Sequence, residues 1–267
     1  MCRLLGVVSS ETTDYRFSLH QAPSSLAALS PDHPDGWGLA VHAAERGWTL
    51  HKDATAAHAD PRFHREAAAE RGEILVAHVR KRTVGPIGIA NTHPFSRGRW
   101  VFAHNGTIRE LDWLAARTSA ARRAEVEGDT DSERFFAYLL SAIDAGDARG
   151  ESPDDALWHA AREARSVPGF GPCNFLLSDG RTLWAHRSGR TLFALLRGHG
   201  DTVVPRRRSA ETRATVDTPW SQRRVAVLIA SERLTDEPWE ELPEESLLAV
   251  EATAHPRPRP IHRSPRR

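Results

Sequence analysis

MCRLLGVVSS, residues 1–10, sets a cysteine directly behind the initiator methionine, at the head of an apolar run. The 267-residue chain holds only two cysteines, Cys2 and Cys173. RLLGVVSS reads as a strand, being short, apolar and closed by serines. Methionine before a small residue is a favourable context for its removal, which would give Cys2 a free α-amine beside its thiol. An unperturbed α-amine titrates near ~7.7–8.0 and a thiol near ~8.5, so the amine can take the thiol proton at neutral pH, directly or through a water. N-terminal nucleophiles use this pairing. A small residue at an ordinary N-terminus would look the same, so the rest of the chain has to decide.

Working outward, the sequence alternates strands and helices in blocks. GWGLAVHAAERGWTLHKDA reads as a hairpin split by a polar AERG turn. SLHQAPSSLAAL reads as a short helix, PRFHREAAAERG as a helix with a glycine past its end, and EILVAHVRK as a strand. GRWVFAHNGTI is a strand running into a turn. Helical spacing follows over IRELDWLAARTSAARRAEV, DTDSERFFAYLLSAIDAG and SPDDALWHAAREARSV. NFLLSDGRTLWAHR, TLFALLR and RRVAVLIASERL return to strands. Strands in runs with helices grouped between them predict an α+β layered domain over residues 1–250. The basic, Pro/Arg-rich residues 251–267 are expected to be a disordered tail.

Composition excludes several classes of function. Hydrophobic residues make up 40% and the formal net charge is +1, so no field calls for nucleic acid or an anionic membrane. The basic residues are almost all arginine, with Lys52 and Lys81 the exceptions. No apolar run approaches the ~20 residues of a membrane span. Two cysteines without a secretion signal point to a reducing cytoplasm. The 14 histidines form neither HExxH nor a close pair at ligand spacing, and no CxxC occurs, so no metal or other cofactor is expected. Cys173, entering an apolar strand, is read as structural.

Three features could carry chemistry. The first is Cys2. The second is residues 76–108, where polar groups gather at the ends of apolar segments. Arg80 emerges from an apolar strand and suits bidentate binding of a small carboxylate, or it is a solvated strand end. Asn105 and Gly106 supply a side-chain amide and an unencumbered N–H, the equipment of an oxyanion hole, or form a plain Asn-Gly turn. The third is GDTDSERFF, whose acids could cap a helix or hold a substrate ammonium.

Together these motifs are collinear with a known family. MCRLLG at the N-terminus, PDGWGLAVH at 34–42, HVRK at 78–81, NTHPF at 91–95, FAHNGTI at 102–108 and TDSE at 130–133 resemble the class II, N-terminal-nucleophile glutamine amidotransferases. HVRK with NTHPF is more similar to the short stand-alone subgroup, which includes the ergothioneine-pathway amidohydrolase. Many members carry HTRWAT where this chain has HVRKRT, so a tryptophan contact beside the arginine is missing.

The resemblance implies a four-layer αββα sandwich. It implies Cys2 as nucleophile on the γ-carboxamide of glutamine or a γ-glutamyl compound, with Asn105 and Gly106 as oxyanion hole. Arg80 would clamp the substrate α-carboxylate and Asp131 accept its α-ammonium, while His93 and Trp37 would shape the pocket. About 250 residues complete such an amidase, and no second active site is expected. The substrate is then a glutamine-like small molecule, and a separately encoded synthase is a possible partner that would consume ammonia. A non-catalytic binding module is the remaining alternative.

Overall fold

Residues 2–198 and 224–261 are described by the computed structural model, together with the backbone of 207–208 and 215–216. The first strand, β1 (Arg3–Asp14), is followed by a π-turn at Phe17–Gln21, a short α1 (Leu26–Leu29) and the hairpin β2 (Trp37–Ala43) and β3 (Gly47–Asp53). Helix α2 (Pro61–Ala69) leads to β4 (Arg71–Val79), β5 (Phe95–Arg97) and β6 (Trp100–Gly106). Four helices come next: α3 (Leu111–Arg117), α4 (Ala120–Ala124), α5 (Asp131–Asp147) and α6 (Pro153–Arg165). Strands β7 (Cys173–Ser178), β8 (Thr182–Arg187) and β9 (Phe193–Arg197) follow, and β10 (Arg207–Arg208) and β11 (Thr215–Val216) form a separate ribbon. The chain closes with β12 (Ala226–Ala230), β13 (Glu240–Glu241), β14 (Ser246–Glu251) and β15 (Pro258–Pro260).

Two antiparallel sheets result, ordered β13-β9-β12-β1-β4-β2-β3 and β15-β14-β8-β7-β6-β5. Strand alternation sends successive side chains to opposite faces. Leu4 and Val8 of β1, Val76 of β4, Val101 and Ala103 of β6 and Leu176 of β7 share one buried cluster, the seam between the sheets. Leu5, Val7, Leu75 and Ala77 point the other way, against Phe17, Leu26 and Phe63 of the first helical layer. Phe102, Phe175 and Leu177 meet Phe135, Leu139 and Leu157 of α5 and α6. The order is therefore helix, sheet, sheet, helix, and the expected α+β four-layer sandwich is met. Strands buried on both faces explain the unbroken apolar runs of the sequence.

Three local expectations change. Residues 17–29 form a π-turn and a separate short helix, because Pro23 interrupts the run and Ser25 caps α1 by accepting from Ala28 N. The helical spacing of 108–126 is two helices. Thr118 ends α3 by bonding Leu114 O at 2.7 Å, and Ser119 accepts from Arg122 N to start α4. The presumed tail is partly built in: β15 pairs with β14, and Ile261 is buried in the core under the second helical layer. Prolines suit such an edge, since they withhold donors from the outside of the sheet. Residues 262–267 lie outside the described residues.

This docking predicts that Ile261→Ala costs about 2–5 kcal/mol of stability, the usual range for truncating a buried isoleucine. Urea titration would read it as a lower midpoint at unchanged slope; an unchanged midpoint would detach the segment from the core.

Candidate active site

Pairing registers bring several strand ends to one end of the sandwich. In the first sheet Arg3 lies opposite Val79 and Leu5 opposite Ala230, so Cys2 sits beside the exit of β4 and near the exit of β12. In the second sheet Gly106, ending β6, lies opposite Cys173, starting β7. The two ends touch where Thr107 Oγ1 lies 3.4 Å from Thr83 Oγ1.

Cys2 is half-buried, with its Sγ 3.4 Å from both the carbonyl and the amide nitrogen of Lys81. Burial pushes its thiol pKa up; the Lys81 amide and the Arg80 cation pull it back, and Asp131 adds to the rise. Arg80 follows β4 directly and is buried, donating to Pro86 O at 3.1 Å and Val84 O at 3.0 Å. Burial works against its charge, while Cys2 and Asp35 support it. Two of its donors thus hold the loop after β4.

The TDSE motif divides its labour. Thr130 caps α5 by accepting from Glu133 N. Asp131, buried, accepts from Ile108 N at 2.6 Å and so faces the residues just after Gly106. Ser132 Oγ lies 2.8 Å from His104 Nδ1, tying α5 to β6 one residue before Asn105. Glu133 accepts from Gly128 N at 2.6 Å and from Arg97 at 2.5 Å, fixing the loop that enters the helix.

Asn105 is buried at the end of β6, and Gly106 permits no side chain: a Cβ there would lie 1.8 Å from Pro172 O. Gly38 of DGWG is required in the same way, because a Cβ would meet His93 O at 2.1 Å. NTHPF therefore packs onto the backbone of β2, turning at a cis His93–Pro94 bond.

Of the seven sequence-selected residues, Cys2, Arg80, Asn105, Gly106 and Asp131 gather at this end of the sandwich. His93 is buried beside His78, with ring centroids 4.3 Å apart, and beside Phe95 at 4.6 Å. It underlies the site as part of a histidine cluster with His78 and His104. Trp37 lies opposite Val79, the residue before Arg80, with its side chain turned into the outer core. Its indole is fully buried on the outer face of the first sheet, donates to Asp60 Oδ2 at 2.7 Å and packs edge-on against Phe63. Burial drives His78 down to about 3 and His93 well below the ordinary imidazole range, so the cluster is neutral. Burial likewise raises Cys173 to about 11.

Sequence reasoning passed over His78, His104, Ser132 and Asn174. Asn174 interrupts the apolar CNFLLS strand, and that interruption was the available signal. Its Oδ1 accepts from Ser188 N at 2.7 Å and its Nδ2 donates to Arg190 O and Thr191 O. Among the described residues, one set of potential metal ligands converges: His51, Glu66 and Glu70. Glu70 there already holds His51 and Arg46, so the group works as an ion-pair network between β3 and α2.

The sequence of residues 1–258 matches the description "glutamine amidotransferases class-II". This chain belongs to that family. It is 31% identical over 193 residues to a putative glutamine amidotransferase of Haemophilus influenzae, covering 70% of this chain and 63% of the relative. It is 28% identical to the gamma-glutamyl-hercynylcysteine sulfoxide hydrolase of Mycolicibacterium smegmatis, over 86% of this chain and 92% of that protein. The crystal structure of a predicted glutamine amidotransferase from Pseudomonas aeruginosa superposes with a TM-score of 0.62 at 25% identity, covering 93% and 97% of the two chains.

The buried neutral histidines carry a pH signature. His78 and His186, each near 3 in the folded protein, bind protons in the unfolded chain from about pH 6.5 downward. Their contribution is complete above pH 6.5 and is lost as pH falls towards 3, by roughly 1.4 kcal/mol per pH unit for each group. Urea unfolding at pH 7, 6 and 5 should give steadily falling stability; a flat profile would mean that these rings are protonated or exposed.

Proposed function

We propose that this chain hydrolyses the γ-amide of glutamine or of a γ-glutamyl compound through a thioester on Cys2. The convergence of Cys2 with Arg80, Asp131, Asn105 and Gly106 at one end of the sandwich carries this reading. A glutamyl group presents a carboxylate, an ammonium and, at the far end, an acyl carbon. Recognition needs a cation, an anion, a nucleophile and donors for the developing oxyanion. Arg80 and Asp131 match the first two, and Cys2 with Asn105 and Gly106 match the others.

In the proposed reaction the Cys2 thiol gives its proton to its own α-amine, freed when Met1 is removed; Met1 itself lies outside the described residues. Sγ attacks the γ-carbonyl carbon, and the oxyanion is held by the Asn105 amide and the Gly106 N–H. The C–N bond then breaks, the amine's proton passes to the leaving nitrogen, and a γ-glutamyl thioester remains. Water adds to the thioester carbon, the C–S bond breaks, and glutamate and the thiol are restored. Burial that raises the thiol pKa makes a local base necessary at neutral pH.

The hydrolase name carried by the Mycolicibacterium smegmatis relative supports hydrolysis of a γ-glutamyl conjugate. Both thiols are free, which suits a reducing cytoplasm. No described helix is long and apolar enough to cross a membrane.

Glutamate release from glutamine and γ-glutamyl amides tests the proposal. Cys2→Ala should abolish turnover, and Asn105→Ala should lower kcat by about 10²–10³, the cost of losing one oxyanion donor. Turnover surviving in Cys2→Ala would refute the thioester route.

A further inference from the structure

The site has a second flank that glutamine would leave unused. In the first sheet Cys2 stands between the exit of β4, which carries Arg80, and the exit of β12. The β12 side is lined by the turn 188–191 between β8 and β9, and that turn is bound from both sheets. Cys173 N donates to Ser188 O at 3.0 Å, and the Asn174 side chain holds Ser188, Arg190 and Thr191. A Cβ on Gly189 would meet Pro172 at 3.0 Å, and Pro172 is the residue packed against Gly106. On the other side Thr191 Oγ1 donates to Ser231 O at 3.0 Å, and Ser231 exchanges backbone and side-chain bonds with Leu4, two residues after Cys2.

The backbone at Arg190 is thereby set between the strand end that carries Gly106 and the one that carries Cys2, on the opposite side of β1 from Arg80. Its neighbours are charge-compensated: Arg3 pairs with Glu232, and Arg187 with Glu241 and Glu244. Arg190 forms no ion pair among the described residues, and its Nε is buried without a hydrogen-bond acceptor there. A partly desolvated guanidinium with an open donor is unfavourable unless an anion joins it. Ammonia leaving from glutamine offers no anion, whereas a leaving amino acid or peptide carries a carboxylate near the departing nitrogen.

Resting on the γ-amide reading above, we infer that Arg190 binds a carboxylate on the leaving group, so that the preferred substrates are γ-glutamyl amino acids or peptides. Hydrolysis then adds one water and releases glutamate and the free amino acid.

The test compares kcat/KM for γ-glutamylglycine, whose leaving group bears a carboxylate, with that for γ-glutamylethylamide, which is of similar size and lacks it. Glutamine is assayed alongside. The expected preference for γ-glutamylglycine is about 10- to 100-fold, the range of a charge-assisted pair. It should fall to near unity in Arg190→Met and be partly restored in Arg190→Lys. Because each ratio is taken within one protein sample, loss of folded material cancels. Equal rates on the two amides, or a preference surviving in Arg190→Met, would overturn the inference while leaving the γ-amide reading intact. Failure on all three substrates, glutamine included, would overturn both.

Discussion

Packing one sheet on the other is the constraint from which the site follows. The seam of Leu4, Val76, Val101 and Leu176 sets β1 and β4 over β6 and β7, and sequence register then decides what their ends present. A strand is a rigid ruler, rising about 3.3 Å per residue with alternate residues facing inward. Cys2 at the head of β1, Arg80 at the exit of β4 and Gly106 at the exit of β6 are held by strands buried on both faces. Sites mounted on such elements keep their geometry better than sites on free loops. A one-residue slip in β1 would turn Leu4 and Val8 out of the seam, so the core and the site protect the same register.

Around that frame, polar ties between layers do the fine positioning. His104 and Ser132 link β6 to α5, and Asp131 reaches from α5 to the amide of Ile108. Arg80 is anchored by the loop it supports, through Val84 and Pro86 carbonyls. Asn174 does the equivalent for the turn 188–191 on the opposite flank. Each tie satisfies buried polar groups that would otherwise cost about 1–3 kcal/mol apiece, which favours one arrangement of the site over its alternatives.

Much of this was legible in the sequence, for a physical reason. Strands with both faces buried need continuous apolar runs, and the GWGLAVH–GWTLHKD hairpin and long α5 announced themselves by period and turn chemistry. Cys2, Arg80, Asn105, Gly106 and Asp131, at strand or helix ends, were also visible as breaks in that pattern. What stayed hidden depended on tertiary context. Trp37 pairs with Val79, the residue before Arg80, but strand alternation sends its side chain into the outer core beside Phe63. Prolines in 256–260 looked like disorder, although at a sheet edge the missing donors are harmless. His78, His93 and His104 come from separate motifs and meet only when the sheets stack.

The central claim is that Cys2, freed of Met1, is the acylated nucleophile. Intact-mass and peptide analysis after reaction with a glutamine-analogue diazo-ketone tests it most directly. The account predicts a chain lacking Met1 that carries one adduct, located on Cys2 and absent in Cys2→Ala. Labelling at Cys173 instead, or an active chain that retains Met1, would contradict it.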